Sequence, residues 1–321
     1  MNTPSCRLKL FDTYLPSKVL LFGNHKLLGF HETTCVPCNY FEKMRTRRDF
    51  LKVTGGLAAG AMFLPTLAEA KKIKNVGIQL YSVRKEMLND AVGTLKALAK
   101  IGYKELESAR SEKGNYYGLQ PKEIKKIAND LGMTVRSGHV HVDKDFQKSI
   151  DSAAEAGQNY LVCSSLPSNG QTVDNYKKVA EIFTKAAEDC KKSNIIFGYH
   201  NHEYEFEKEN GQVLYDVLLD NTDAKLVTME LDLGWVIISG NDPLAYFNKY
   251  PGRFPLWHLK DMDASKKEST EFGKGQVNIV KMLQNAKKSG VKHIFVEQEE
   301  YASTALESMK YDFEYLMKLD Y

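Results

Sequence analysis

The sequence predicts a single (β/α)8 barrel, a TIM barrel, over residues 71–321. Four apolar runs each end near a side chain that can bind a metal, namely His200, Asp232, His258 and Glu297. These side chains are 32, 26 and 39 residues apart, which is close to the roughly 30 residues of one βα unit. About 250 residues is also the usual size of such a barrel, whose parallel strands all end at the same face.

A second observation is a repeated junction of helix, glycine and strand. It occurs at Gly102, Gly132, Gly157 and Gly290. Glycine adopts the left-handed conformation that ends a helix before the chain returns into a strand. The repeat favours one alternating domain over two domains. The alternative is a doubly wound open sheet, but that fold would place its ligands at one switch point and not at four consecutive strand ends.

The strands follow from short apolar runs that are bounded by polar turns. They are predicted at residues 75–82, 104–108, 134–141, 160–165, 195–202, 226–235, 254–261 and 293–301. The helices follow from apolar stripes at helical spacing, as at Ile124, Ile127 and Leu131 behind Pro121, since proline is favoured in the first turn. They are predicted near residues 89–102, 121–132, 146–156, 173–192, 213–219, 243–249, 277–288 and 305–319.

The residues before the barrel have the pattern of an export leader. Residues 44–70 contain the pair Arg47-Arg48, a mild apolar stretch and a small-x-small cleavage site at residues 68–70, as in a twin-arginine signal peptide. We therefore expect recognition by the twin-arginine export machinery and a periplasmic location. Residues 1–43 precede Met44, the expected start, and are interpreted as a miscalled extension. No other apolar run reaches the length of a membrane span.

The charge of the predicted barrel excludes one class of partner. Of the 44 Lys+Arg and 41 Asp+Glu residues, nine and five lie in residues 1–70, so the total of +3 leaves −1 for residues 71–321. A nucleic-acid-binding domain carries a basic surface, so no nucleic-acid partner is expected. Cys163 and Cys190 are predicted to be independent buried thiols, because one lies in a strand and the other near a helix end.

The four strand-end side chains predict one divalent metal ion. Two imidazoles and two carboxylates suit Mn, Co, Ni, Zn or Fe(II). Residues at this face of a barrel are the ones that carry catalysis. His202 shares a strand face with His200 and is the alternative ligand on the fifth strand.

Several segments resemble the sugar phosphate isomerase/epimerase family, the xylose isomerase-like barrels. They are residues 77–84, 230–235, 257–261, 273–275 and 296–297. The resemblance implies a metal set of Glu, Asp, His and Glu from the fifth to eighth strands. Asp232, His258 and Glu297 match the last three, whereas His200 stands where the first glutamate would be. Epimerases of the family exchange a proton between the two glutamates, so His200 favours chemistry with one base.

Other side chains at the predicted barrel mouth complete the candidate site. The candidate catalytic residues are Glu297, Glu205, Lys260 and His141. The candidate substrate-binding residues are Gln79, Tyr81, Glu107, His139, His202 and Trp235. Glu230 lies one layer deeper than Asp232 and is expected to be a buried partner of a ligand or a lysine. Trp257 has the opposite parity to His258 and is expected to pack under a helix.

The predicted function is a metal-dependent isomerase or epimerase that acts through an enolate or enediolate. Because export is expected, the substrate should be an unphosphorylated sugar or keto-sugar. A lyase or hydratase acting on 3-keto-glycosides is the first alternative, since the resemblance extends to exported members of that kind. A sugar-binding protein without catalysis and a metal endonuclease are further alternatives, and the charge of −1 counts against the endonuclease. The sequence leaves the sugar, the metal and the oligomeric state open.

Overall fold

A computed structural model of the protein describes residue 73 and residues 75–321. The predicted extension, residues 1–43, and the predicted signal peptide, residues 44–70, lie outside the described residues. Among the helices of residues 75–321, none combines the length with the apolar character that a bilayer span requires.

Eight parallel strands close into a barrel in the order β1-β12-β9-β8-β5-β4-β3-β2, which confirms the predicted (β/α)8 fold. The remaining four strands form two small hairpins in loops, β6 with β7 and β10 with β11. The twelve strands are β1 (Gly77–Gln79), β2 (Glu105–Ser108), β3 (Thr134–Val140), β4 (Tyr160–Cys163), β5 (Ile196–His200), β6 (Lys208–Glu209), β7 (Gln212–Val213), β8 (Val227–Asp232), β9 (Leu256–Leu259), β10 (Asp261–Asp263), β11 (Glu268–Thr270) and β12 (His293–Val296).

Helices follow the barrel strands and cover the outside of the barrel. They are α1 (Arg84–Asn89), α2 (Ala91–Ile101), α3 (Pro121–Asp130), α4 (Phe146–Ala156), α5 (Val173–Lys191), α6 (Leu214–Asp220), α7 (Leu233–Ile238), α8 (Pro243–Lys249), α9 (Ile279–Gln284), α10 (Ala286–Ser289) and α11 (Ala305–Lys318). Both α4 and α8 have the predicted bounds. The glycines after α4 and α10, Gly157 and Gly290, have φ of 77° and 82°, which is the left-handed ending expected from the repeated junction.

Several elements are shorter than the predicted runs or are divided, and two of the strand ends have a local cause. The first strand ends at Gln79, because the Gln79 side chain accepts a hydrogen bond from the backbone N–H of Tyr81 at 3.0 Å and starts a 3-10 helix, Leu80–Val83. The strand predicted at residues 226–235 ends at Asp232, which caps α7 by accepting from the backbone N–H of Trp235 at 2.9 Å. The helix predicted at residues 277–288 is divided into α9 and α10.

Apolar side chains fill the layer between strands and helices, and a smaller set fills part of the barrel interior. Trp257 is fully buried in the outer layer, where its ring stacks on Phe247 of α8 with centroids 5.0 Å apart, which confirms its predicted packing. Inside the barrel, the apolar cluster consists of Tyr160, Val162, Leu256 and Phe295. Cys163 and Cys190 are both free and buried, as expected.

Candidate active site

The barrel brings the four predicted metal ligands together. His200 and Asp232 are the last residues of β5 and β8, His258 lies in β9, and Glu297 directly follows β12. The register pairs Asp232 with His258 on neighbouring strands. All four residues are buried, and one donor atom from each lies within 4.8 Å of the others.

His258 is at the centre of this group and faces carboxylates on both sides of its ring. Its Nδ1 lies 2.7 Å from Oε2 of Glu297, and its Nε2 lies 2.5 Å from Oε2 of Glu107. Burial opposes the charged imidazolium, but Glu230, Glu297 and Glu107 outweigh burial and hold the pKa of His258 well above its usual value. A carboxylate on one ring nitrogen orients the other nitrogen, as is usual for a histidine that binds a metal.

Neighbouring groups hydrogen-bond the backbone and one carboxylate oxygen of Asp232, and the other oxygen has no hydrogen bond. Its Oδ1 caps α7, and its backbone N–H donates to the Asn201 side chain at 3.0 Å. Its Oδ2 is buried without a hydrogen bond, although Lys260 Nζ lies 3.1 Å away. Buried carboxylate oxygens normally have a partner, so this atom is available for a ligand.

His200 also has a buried polar atom without a hydrogen bond. Its Nδ1 lies 3.3 Å from Oε2 of Glu230 but makes no hydrogen bond in that geometry. Burial is the largest cause that holds the pKa of His200 well below its usual value, and the charge of the neighbouring His258 is the second. The ring is therefore neutral, which is the form that coordinates a metal.

These observations fit a divalent metal bound by His200, Asp232, His258 and Glu297. Among the described residues, a second group of donors comprises His139, His200, Glu230 and His258. The first group fits better because of its carboxylates: Asp232 has an Oδ2 without a hydrogen bond, and Glu297 lines the open cavity above the cluster. Oε2 of Glu230 instead lies 2.6 Å from His139 Nε2 and 3.1 Å from His258 Nε2, so Glu230 is a buried partner of two histidines.

Lys260 places a buried ammonium beside the carboxylates of the group. Its Nζ lies 2.9 Å from Oε2 of Glu297 and 2.9 Å from Oε1 of Glu299. Burial opposes its charge, but Asp232, Glu297 and Glu299 raise its pKa well above the usual value. Glu297 responds in the opposite sense, because Lys260 and His258 outweigh its burial and hold its pKa well below the usual value. At neutral pH the pair is therefore an ammonium next to a carboxylate.

A cavity of about 430 Å³ opens directly above this cluster. Eight of the predicted site residues line it, namely Tyr81, His139, His141, His200, His202, Trp235, Lys260 and Glu297. Lys260 Nζ lies 4.9 Å from the centroid of the Trp235 ring. Desolvation by burial lowers the pKa of His202 to about 4, so this ring meets a substrate in its neutral form.

Five predicted site residues are not in the cavity lining, namely Asp232, His258, Gln79, Glu107 and Glu205. Asp232 and His258 lie within the cluster. Gln79 and Glu107 lie below them, where Gln79 Nε2 donates to Oε2 of Glu107 at 3.0 Å. Since Glu107 in turn contacts His258, these two residues hold a candidate ligand and do not reach a substrate.

Glu205 and His141 are not part of the cluster of candidate ligands. Glu205 is fully buried, accepts hydrogen bonds from the Tyr199 hydroxyl and, at 2.8 Å, from the His202 backbone N–H, and does not line the cavity. Desolvation raises the pKa of Glu205 to about 7. His141 is exposed at the cavity rim, where its Nδ1 lies 2.7 Å from Nη1 of Arg110.

Sequence reasoning missed Glu299 and Arg110, which both line the cavity. Glu299 lies two residues beyond Glu297 and contacts Lys260. Its spacing was a signal, because alternate residues of an extended chain share a side. Arg110 follows β2 in a loop with no ligand motif, so nothing in its local sequence indicated the site.

Comparison with known proteins identifies the same kind of barrel. A family model described as xylose isomerase-like TIM barrel matches residues 95–319. An inosose dehydratase of Clostridium tetani is 31% identical over 176 residues, which cover 47% of this chain and 58% of that protein. An inosose dehydratase of Clostridium perfringens is 26% identical, with 63% of that protein covered. The chain thus spans less than two thirds of these curated relatives.

Solved structures show the same barrel. A sugar phosphate isomerase/epimerase from Parabacteroides distasonis is 30% identical, with a TM-score of 0.67, and the match covers 79% of this chain and 99% of that one. A second structure described as an IOLI protein with a bound zinc atom is 13% identical, with a TM-score of 0.61, and covers 75% of this chain and 96% of that one. At that identity, the second structure shows a common fold alone.

Proposed function

Because the chain belongs to the family of xylose isomerase-like TIM barrels, we propose that it is a carbohydrate lyase of the dehydratase type. It removes a proton next to the carbonyl of an unphosphorylated keto-sugar or keto-polyol and expels a substituent from the next carbon. The observation that carries this proposal is the asymmetry of the cluster, in which the residue after β12 is a carboxylate, Glu297, and the last residue of β5 is an imidazole, His200. A two-carboxylate proton exchange lacks its second carboxylate, so one-base chemistry is favoured. The curated dehydratase relatives support the same reaction type.

The contact between Glu297 and Lys260 supports a complete proton cycle. The Glu297 carboxylate takes the proton from carbon, and the electron pair of that C–H bond moves into an enolate. When the C–O bond to the neighbouring hydroxyl breaks, Lys260 donates a proton and water leaves. Glu297 then returns its proton to the Lys260 amine across their 2.9 Å contact. One C–H and one C–O bond are broken, one C=C bond is formed, and nothing is oxidised or reduced overall.

A divalent ion held by His200, Asp232, His258 and Glu297 would supply a Lewis acid that polarises a substrate oxygen. The remaining cavity residues bind and orient the substrate. Trp235 Nε1 is buried without a hydrogen-bond partner among the described residues, so it can donate to a substrate hydroxyl. Tyr81, with 38% of its surface exposed, offers an aromatic face at the rim.

The reaction is tested by incubating the metal-loaded protein in deuterated water with free keto-sugars, keto-polyols and 3-keto-glycosides, followed by NMR. The proposal expects loss of water or of the glycoside substituent, with deuterium exchange restricted to the carbon next to the carbonyl. Elimination without any loss of that carbon-bound proton would refute the proton-abstraction step. Binding without conversion of any substrate would indicate a sugar-binding protein.

An isomerase or epimerase is the second candidate, favoured by the similarity to the Parabacteroides distasonis structure over 99% of that chain. It shares the first step with the lyase but differs in the fate of the enolate, which is protonated again without losing a substituent. In the same NMR experiment it gives deuterium with an inverted centre or a moved carbonyl. The two candidates are therefore separated by one measurement.

We also propose that the protein is exported to the periplasm by the twin-arginine route. The motif at Arg47-Arg48 and the site at residues 68–70 support this proposal. N-terminal sequencing of the native protein is expected to find a mature chain that begins after Ala70. A mature chain that begins before Met44 would contradict both the route and the expected start.

A further inference from the structure

A second cavity lies beside the one above the cluster. Its volume is about 440 Å³, and its walls come from the loop after β2, the end of β3 and helix α4. The two cavities share the side chains of Arg110 and His141, so these residues form a common wall between them. Each volume is within the range of about 300–1,000 Å³ that small-molecule sites occupy. None of the proposed metal ligands or proton donors lies in the second cavity.

The side chains of the second cavity indicate which kind of group it takes. Three cationic side chains are balanced by three anionic ones, namely Arg110, Lys113 and Lys148 against Glu112, Asp143 and Asp145. With no net formal charge, the cavity favours an uncharged group over a phosphate or a carboxylate.

The hydroxyls of Ser149 and Ser152 on α4 make no hydrogen bond with any described residue and are free for a ligand. Leu119 and Pro121 add carbon surface, so the wall suits a ring with hydroxyl groups.

The common wall has a defined protonation pattern. The Arg110 guanidinium always carries its protons, so its Nη1 donates to His141 Nδ1 across 2.7 Å. The proton of neutral His141 must then lie on Nε2, which makes this atom a hydrogen-bond donor at the wall between the cavities. Asp143 Oδ2 lies 3.6 Å from the same Arg110 nitrogen. The remaining guanidinium nitrogens of Arg110 have no hydrogen-bond partner within residues 75–321.

We infer that the substrate is a two-part molecule: a reacting sugar over the cluster, linked to an uncharged hydroxyl-bearing ring in the second cavity. Arg110 and His141 donate hydrogen bonds at the linkage between the two parts. The inference rests on the proposed function for the identity of the reacting part. It adds that the substituent is bound by its own subsite, and that this subsite determines specificity.

The first test measures binding without turnover. Saturation-transfer NMR and titration are carried out on the full chain with 4-hydroxyphenyl β-glucoside and cellobiose, whose second rings carry hydroxyl groups, and with glucose as the one-ring comparison. Both two-ring probes are expected to bind about tenfold or more tightly than glucose, a difference of about 1.4 kcal/mol. Saturation should reach the protons of the second ring. Equal affinity of all three probes, or a second ring without saturation, overturns the inference.

The second test fills the subsite. Ser152→Met and Ser149→Met place a larger side chain in the cavity from α4, and methionine is a good helix former. The matched control is Gln147→Met, an exposed position of the same helix that lines neither cavity. The two serine variants should reduce the preference for two-ring probes at least tenfold, and the control should keep it. Serine variants that behave like the control refute the subsite.

The outcomes separate this inference from the proposed function. Conversion of free sugars with no preference for two-part probes leaves the lyase and removes the subsite. Two-part binding that depends on Ser149 and Ser152, without any conversion, leaves the subsite and removes the lyase. A thermal unfolding midpoint close to wild type confirms that each variant used in the comparison is folded.

Discussion

Replacing Lys260 with methionine should strongly destabilise the metal-free protein. The ammonium is 1% exposed and lies 2.9, 3.1 and 2.9 Å from oxygens of Glu297, Asp232 and Glu299. Each contact corresponds to about 5–6 kcal/mol of Coulomb attraction at an effective dielectric constant of about 20. Desolvation of the buried ions offsets much of this attraction. Removing one partner from such a buried group typically costs about 3–5 kcal/mol, because uncompensated charge remains.

A bound metal should reverse part of that loss. A divalent ion between Asp232 and Glu297 replaces the missing positive charge, so Lys260→Met should gain more stability from added metal than the wild type does. Urea unfolding of both proteins, with chelator and with a divalent ion, measures the difference at an unchanged m-value. The control is Lys266→Met. The Lys266 side chain is 66% exposed, and its Nζ lies 4.0 Å from Oδ2 of Asp263, so this change should alter stability by less than about 0.5 kcal/mol.

The result that refutes this reasoning is specific. If Lys260→Met loses no more than about 1 kcal/mol without metal, the buried ammonium is not the counter-charge of the cluster. If the loss is large but metal restores none of it, the ion does not bind between these carboxylates.

Three further predictions address the ligands, the pH dependence and the packing of the outer layer. Asp232→Ala should lose bound metal by elemental analysis and lower kcat about 100-fold. The control Asp263→Ala, at the end of β10 and outside the cluster, should keep full occupancy, and equal occupancy in both variants would exclude Asp232 as a ligand. Desolvation raises the pKa of Asp312 to about 8, so the stability from its neutral carboxyl is fully present below about pH 4 and is lost as pH rises through 8. Asp312→Asn should remove this decline in urea unfolding measured from pH 4 to 9, and an unchanged slope would contradict it. Phe247→Ala should destabilise the protein by about 3–5 kcal/mol, because it removes the ring stacked on Trp257, and a loss below about 1 kcal/mol in the same assay would contradict that packing.

The fold and much of the site could be predicted from local patterns. A strand that is buried on both sides is apolar along its length, so the polar residue that ends it stands out, as His200 and Asp232 do. The spacing of these endings follows the length of a βα unit. The positions of Gly157 and Gly290 marked helix ends, because few other residues adopt a positive φ.

Other features depended on contacts between distant segments. Glu205 has the same local appearance as a catalytic carboxylate, but the short turn after β5 folds it under His202 and away from the cavity. Glu107 and Gln79 share the inward parity of the ligands, yet they lie one layer deeper and hold His258. Parity along a strand determines the side on which a residue lies, but its depth depends on the register of the neighbouring strands.

The sequence by itself therefore determined the barrel, the face that carries the site and four side chains that meet there. These properties are encoded in periodicity and spacing, which act within one βα unit at a time. Only the tertiary structure decided that Lys260 lies among three carboxylates and that Arg110 and His141 separate two cavities. Such positions depend on how the barrel closes, where β1 pairs with β12 and joins the first and last strands of the barrel, a contact that no local pattern contains.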